Sequence, residues 1–120
     1  PKIVFKEISS HLDFALDESG ALFNNKVLFI SGEDRQELLY LLGVLNSAVA
    51  GRYLWTRCPM LRGARSLEKV YVERLPIPDA SPEEQAAIAE LAQKCIDARG
   101  VGCEEWEAEI NERVAALYGL

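Results

Sequence analysis

The chain has little of what most catalytic and metal-binding sites require. Histidine occurs once, as His11, and no serine or cysteine stands with it in an arrangement typical of a nucleophile and its base. The three cysteines, Cys58, Cys95 and Cys103, are odd in number and lack C-x-x-C spacing, which argues against a disulfide framework and a zinc site. We therefore expect a reducing, cytoplasmic compartment. No glycine-rich phosphate loop or spaced carboxylate motif is present, so no catalytic residue, cofactor site or metal site is predicted.

A long hydrophobic run is also missing. Residues 38–51, LLYLLGVLNSAVAG, carry no charge, but a membrane-spanning helix needs about 20 apolar residues, so no membrane partner is expected. Apolar side chains in this region recur at spacings of three and four residues, as they do on one face of a helix. The pattern predicts a buried, leucine-rich helix that begins after Ser31 or Asp34 and ends near Tyr53 or Trp55.

The first third of the chain alternates apolar and polar residues as short antiparallel strands do. The candidate strands are KIVFKEIS, LDFALDE and KVLFIS, and the turns between them are predicted at DESG and NN. Residues 56–67, TRCPMLRGARSL, lack apolar periodicity and are predicted to form an exposed loop. The next segment, EKVYVERL, is predicted to be a strand of the early sheet. The resulting fold class is α+β, with a small antiparallel sheet packed on the leucine-rich helix.

The sequence changes character at ERLPIPDASPEEQ. Two prolines keep LPIP extended, because proline fixes φ and lacks an amide proton. Ser81 is predicted as the N-cap of a helix, with Pro82 at its first position and Glu84 completing a capping box. This helix runs to about Ala98, RGVG breaks it, and a second apolar stripe follows. The two helices form a hairpin that needs an apolar surface to pack on. We therefore predict two domains, residues 1–78 and 79–120.

The net charge of −6 is unevenly distributed. Residues 79–120 hold ten acids and three bases, whereas residues 1–78 hold nine acids and ten bases. The stretch from 52 to 74 contains six bases and only two acids. The bases are Arg52, Arg57, Arg62, Arg65, Lys69 and Arg74. Arginine and lysine in such a cluster are typical of contacts with nucleic-acid phosphates and guanine edges.

Four of these bases, together with two residues from the NNK segment, are the candidate DNA-binding residues. They are Arg57, Arg62, Arg65, Lys69, Asn25 and Lys26. Alternative interpretations remain at this point. Arg52 can extend from its helix into solvent, Arg74 can pair with a neighbouring acid, and an asparagine pair before a strand is often only a turn.

Several segments together resemble a known family. KIVFKEIS, FALDESGALFNNKVLFI, LLYLLGVLNSAVAGRYL, LRGARSLEKVYVERLPIP and SPEEQAAIAELAQKCID occur in the order found in one family. The series is similar to the TaqI-like C-terminal specificity region of N6-adenine DNA methyltransferases and of type IIG restriction-modification enzymes. The LPIP and EQ segments also resemble the junction in type I specificity subunits where a target recognition domain meets a helix.

The resemblance implies that this chain is the C-terminal part of a longer enzyme. The parent's N-terminal methyltransferase domain would bind S-adenosylmethionine and methylate a flipped adenine through an Asn-Pro-Pro-Tyr-type motif, which this sequence does not contain. The start at Pro1, directly before a strand, also suggests a fragment, although removal of an initiator methionine gives the same start. The implied partners are double-stranded DNA and the methyltransferase domain. The alternative is a protein-interaction module, in which the hairpin contacts another subunit or forms a homodimer.

Overall fold

A computed structural model describes residues 2–6, 8–9, 14–18, 27–57, 60–61, 64–66 and 72–120. Within these residues, the chain forms six strands and four helices of at least ten residues. The strands are β1 Lys2–Lys6, β2 Ile8–Ser9, β3 Phe14–Asp17, β4 Val27–Ser31, β5 Met60–Leu61 and β6 Ala64–Ser66. The helices are α1 Arg35–Leu45, α2 Ala48–Arg57, α3 Pro82–Asp97 and α4 Glu104–Leu117. The predicted α+β class is confirmed.

The main sheet packs on the leucine-rich helix, as predicted. Strand β1 lies between β3 and β4 and pairs antiparallel with both, so the order is β3-β1-β4. Alternate side chains of the sheet, such as Ile3, Phe5 and Phe14, are buried, and the Phe5 and Phe14 rings lie 5.0 Å apart. These side chains share one apolar core with Leu38 and Leu42 of α1. Period-two burial on the strands and a helical stripe on α1 therefore produce this interface.

The leucine-rich segment is two helices rather than the single one that was predicted. Helices α1 and α2 meet at an angle of 66° around Asn46 and Ser47. The Ser47 hydroxyl donates to the Val44 carbonyl oxygen at 2.6 Å and accepts from the Ala50 amide at 3.3 Å. Asparagine and serine side chains compete with the helical backbone for hydrogen bonds, so this pair ends one helix and starts the next.

The membrane question depends on the same two helices. No single helix among the described residues is long and apolar enough to cross a bilayer. Helices α1 and α2 meet the length and composition criteria only as a bent pair. Most residues of α1 are buried inside the protein, as expected for a core helix.

The region after α2 differs from its prediction in two places. Residues 56–67 are not a continuous loop, because β5 and β6 form an antiparallel pair within them and β6 also pairs with β2. The prediction of a strand at EKVYVERL is wrong for its described end, since Val72 and Glu73 are helical and a turn follows at Arg74, where the Leu75 amide donates to the Val72 carbonyl oxygen. Residues 68–71 and the predicted NN turn lie outside the described residues.

Tyrosine hydroxyls hold the proline-rich connection to the last two helices. Tyr53 of α2 donates to the Arg74 carbonyl oxygen at 3.1 Å, and Tyr40 of α1 donates to that of Pro78 at 2.8 Å. Tyr118, which follows α4, donates to the carbonyl oxygen of Pro76. The three carbonyl groups belong to every second residue, as an extended chain allows. Because prolines have no amide proton, this connection is fixed through its acceptors.

The predicted helical hairpin is present and packs on α1. The Ser81 side chain caps α3 by accepting from the Glu84 amide, with Pro82 at the first helical position, as the sequence indicated. The Glu84 carboxylate accepts from Arg113 instead of completing the predicted capping box. Arg99 and Gly100, with φ of 54° and 74°, then reverse the chain before α4. The apolar stripes of both helices meet α1 in a second core. This core contains Tyr40, Val44, Ile88, Leu91, Ile110 and Val114.

Candidate nucleic-acid interface

The structure describes only part of the predicted DNA-binding set. Arg57 is exposed at the last position of α2. Arg65 lies in β6, where its backbone is paired with Ser9 and Met60, and its side chain is outside the described part. The remaining predicted residues lie outside the described residues altogether. They are Arg62, Lys69, Asn25 and Lys26.

Tyr53 contacts the side chain of one arginine and the backbone of another. The Arg57 guanidinium lies 3.9 Å from the centroid of the Tyr53 ring, a cation–π contact that fixes its direction. The same tyrosine binds the Arg74 carbonyl oxygen, which places Arg74 at this end of the helix. Arg52, one residue before Tyr53 on α2, is exposed. We call Arg52, Arg57 and Arg74 the α2 arginine patch because two of them lie on α2 and the backbone of the third is bonded to Tyr53 of α2; the name implies no contact among their guanidinium groups.

Local contacts favour a positive surface at this place. Arg57 occupies the last turn of α2, where the helix dipole favours a cation, and its Nη1 donates to Thr56 Oγ1 at 3.4 Å. All three arginines of the patch are exposed, and none of them forms an ion pair within the part of the chain that the structure describes. No described acid therefore neutralises these three positive charges.

Two arginines elsewhere in the described structure, Arg35 and Arg113, are paired with acids, whereas Arg99 is exposed and forms no ion pair with a described acid. Arg35 donates through Nε and Nη2 to the two carboxylate oxygens of Glu18, both at 2.9 Å. These hydrogen bonds lower the pKa of Glu18 and raise the pKa of Arg35. Arg113 of α4 binds Glu109 on its own helix and Glu84 on α3, and both contacts raise its pKa. The pairing distinguishes these arginines from the α2 arginine patch.

Two members of the patch were not among the predicted site residues. Arg52 and Arg74 were recognised as part of the cationic stretch, with extension into solvent for Arg52 and pairing with an acid for Arg74 as the alternative interpretations. The structure leaves Arg74 exposed and without an ion pair to a described acid. The contact between Tyr53 and residue 74 spans 21 positions, and no local sequence pattern indicates it.

Comparison with known proteins assigns the family. A family model, the TaqI-like C-terminal specificity domain, matches residues 1–77. The match covers the strands, α1, α2 and the start of the proline-rich connection, and it ends before α3 and α4. No curated protein matches the chain. The observed α+β unit and the family model together identify the first two thirds of the sequence, and the chain belongs to the family of TaqI-like C-terminal specificity domains, which serve target recognition in DNA methyltransferases.

Proposed function

We propose that this chain is the non-catalytic C-terminal target-recognition part of an adenine-specific DNA methyltransferase or a type IIG restriction-modification enzyme. In this role it positions duplex DNA and contributes to the choice of sequence. The methyltransferase domain, the S-adenosylmethionine that it binds and the flipped adenine belong to the rest of the parent protein, in the cytoplasm. The proposal rests on the family match over residues 1–77.

The α2 arginine patch supports this function, and we propose that it contacts the DNA backbone. Three exposed guanidinium groups without acidic partners among the described residues suit phosphate oxygens, which arginine binds through two parallel hydrogen bonds. Arg65, another predicted DNA-binding residue, lies in β6. The predicted contacts Arg62 and Lys69 precede and follow this strand in the sequence. Phosphate contacts of this kind set the orientation of the domain, whereas contacts with base edges select the sequence.

The salt dependence of DNA binding by the parent enzyme tests this assignment. Each phosphate contact contributes about 0.9 to the slope of log K against log salt concentration. Replacing all three arginines of the patch by alanine should therefore reduce the slope by about 2 to 3. Replacing Arg57, Arg62, Arg65 and Lys69 together should reduce it by about 3 to 4.

A matched control separates local contacts from net charge. Lys94 on α3 is exposed and pairs only loosely with Glu90, at 3.9 Å. Lys94→Ala removes one positive charge, as Arg57→Ala does, and should leave the slope unchanged. Equal slopes for the wild-type enzyme and the triple variant would refute the proposed contact surface.

The exposed apolar residues of the hairpin favour a second candidate function. Val101 and Leu120 are 77% and 79% exposed, and Ile96 is 36% exposed. Such residues suit a contact with another subunit or with a second copy of the chain. This function predicts an average mass that rises with concentration in sedimentation equilibrium, and Val101→Ser should reduce the association. A monomer at all concentrations would exclude self-association through the hairpin.

A further inference from the structure

Three potential metal ligands meet where the two helices of the hairpin join. The Sγ atoms of Cys95 and Cys103 and a carboxylate oxygen of Glu107 all lie within 4.8 Å of one another. The number and spacing of the cysteines argued against a zinc site in the sequence, because they match no zinc motif. The site is separate from the α2 arginine patch and does not depend on the proposed function.

The turn between α3 and α4 creates this arrangement. Cys95 lies near the end of α3, and its carbonyl oxygen accepts from the Gly100 amide at 3.0 Å. Left-handed backbone angles at Arg99 and Gly100 reverse the chain, and Gly102, with φ of 68°, leads into Cys103 at the start of α4. Glycine adopts such angles at no steric cost. Glu107 follows one helical turn later, so its side chain lies on the same face as Cys103.

The burial of the three groups suits a bound ion. Cys103 is only 2% exposed, Cys95 is half-buried, and Glu107 is exposed at the rim. The Cys103 thiol donates a hydrogen bond to Glu107 Oε1 at 3.0 Å. A proton therefore occupies the position between sulfur and oxygen that a cation would take. Packing of two small apolar side chains would not require a carboxylate at this point.

We propose that Cys95, Cys103 and Glu107 are the protein ligands of a zinc ion that fastens α3 to α4. Two thiolates favour Zn²⁺ over the harder Mg²⁺ and Ca²⁺ ions. Tetrahedral zinc, with Zn–S near 2.3 Å and Zn–O near 2.0 Å, places its ligand atoms about 3.5 to 3.8 Å apart. No two of the three ligand atoms are more than about 1 Å farther apart than this spacing, and the Cys103–Glu107 pair, at 3.0 Å, would open by about 0.5 Å.

An adjacent cavity supplies the fourth ligand position. The cavity has a volume of about 600 Å³ and is lined by Cys95 and Glu107 together with residues of β3 and α1. Water from this cavity completes the coordination. Arg99 also lines it and adds a positive charge beside two thiolates and a carboxylate. Binding releases the two thiol protons to solvent, so the affinity should increase with pH.

Cobalt titration tests the site directly. The chain is stripped of metal with a chelator under reducing conditions and titrated with Co²⁺, whose visible absorption reports tetrahedral thiolate coordination. We expect absorption that saturates at one equivalent, disappears on addition of Zn²⁺, and is accompanied by a zinc-dependent rise in Tm. A spectrum that shows only hexahydrated Co²⁺ would overturn the proposal.

Substitutions assign the ligands and provide a control. Cys95→Ser and Cys103→Ser should each abolish the absorption, and Glu107→Gln should weaken Co²⁺ binding by about tenfold or more. Cys58→Ser removes the third cysteine of the chain and should leave both the absorption and the zinc-dependent rise in Tm unchanged. Since Cys95 is half-buried, its serine variant tests the site even where Cys103→Ser fails to fold. Absorption that survives in Cys95→Ser, or that is lost in Cys58→Ser, would contradict the assignment.

Discussion

The side-chain amide of Asn46 pairs with both backbone polar groups of Phe14. Asn46 Nδ2 donates to the Phe14 carbonyl oxygen, and Asn46 Oδ1 accepts from the Phe14 amide, both at 2.9 Å. Strand β3 is at the edge of its sheet, so one residue of the break between α1 and α2 takes the place of a neighbouring strand there. The residue that separates α1 from α2 therefore also binds the edge strand β3.

Removing the Asn46 amide should destabilise the protein. Asn46→Ala leaves a partly buried amide and carbonyl of Phe14 without partners, at a cost of about 1 to 3 kcal/mol in the free energy of unfolding. Asn46→Asp keeps an acceptor for the amide but places a negative charge against the carbonyl oxygen, so it should not rescue the loss. Urea unfolding measures both variants. Gln36→Ala, at an exposed site on α1, is the control and should change stability little. An Asn46→Ala variant as stable as this control would contradict the role of the pair.

Two glycines should respond in opposite ways to the same substitution. A Cβ atom at Gly43 would lie 2.6 Å from Ile88 Cγ2, where α1 and α3 approach each other, and Ile88 is fully buried. Gly43→Ala therefore overpacks the core, and we expect a net loss of about 1 to 2 kcal/mol of stability. In α2, a Cβ atom at Gly51 would meet nothing within 4 Å. Gly51→Ala should stabilise the protein by up to about 1 kcal/mol through helix propensity.

The comparison between these glycines isolates the helix–helix contact. Both variants add one methyl group inside a helix, so the gain in helix propensity is similar in the two. The difference between their Tm values therefore measures the crowding of the new methyl group against Ile88. The Gly43→Ala, Ile88→Val double variant does not relieve the contact, because valine keeps a Cγ2 atom, whereas Ile88→Ala does. A stabilised Gly43→Ala variant would show that the approach of α1 to α3 is looser than described.

Alkaline pH should act on Cys103 in the metal-free protein. The carboxylate of Glu107, followed by burial, raises the pKa of Cys103 to about 12. The folded state therefore keeps its thiol protonated where the unfolded thiol, with a pKa of about 8.5, has lost its proton. The stability that this difference contributes is complete below about pH 8.5 and is lost as the pH rises toward about 12.

Urea unfolding as a function of pH, with a chelator present, measures this effect. Between pH 9 and 11 the free energy of unfolding of the wild-type protein should fall more steeply with pH than that of Cys103→Ala. The difference in slope corresponds to at most about one proton, or about 1.4 kcal/mol per pH unit. Burial also raises the pKa values of Tyr40 and Tyr118, but both proteins share these groups, and they cancel in the comparison. Equal slopes would refute the raised pKa of Cys103.

Local signals predicted the elements that depend on nearby residues. The start of α3 follows from Ser81, Pro82 and the acids after them, and α4 follows from its apolar stripe. The break between α1 and α2 was missed, because Asn46 finds its partner 32 residues away, on β3. The short strand β6 was missed for a similar reason, since three residues carry little periodicity and its pairing with β2 is distant in sequence.

The candidate sites divide in the same way. The clustering of bases from residue 52 to 74 is visible in the sequence, and Arg57 was predicted from it as a DNA-binding residue, which stays a prediction. The inclusion of Arg74 depends on a hydrogen bond to Tyr53, and the approach of Cys95 to Cys103 depends on left-handed residues in a turn. Tertiary contacts and backbone angles of this kind are not encoded in residue spacing. The division at residue 78 stays a prediction.

The tyrosine hydroxyls give the connection after residue 73 a fixed length. Carbonyl groups at positions 74, 76 and 78 each meet a hydroxyl from a different part of the helical scaffold. Inserting or deleting a single residue between positions 74 and 78 would move at least one of the three carbonyl groups out of register with its hydroxyl, even though the segment is neither helix nor strand. Because the three hydrogen bonds use backbone carbonyl groups, they constrain the number of residues in the connection more than the identity of its side chains.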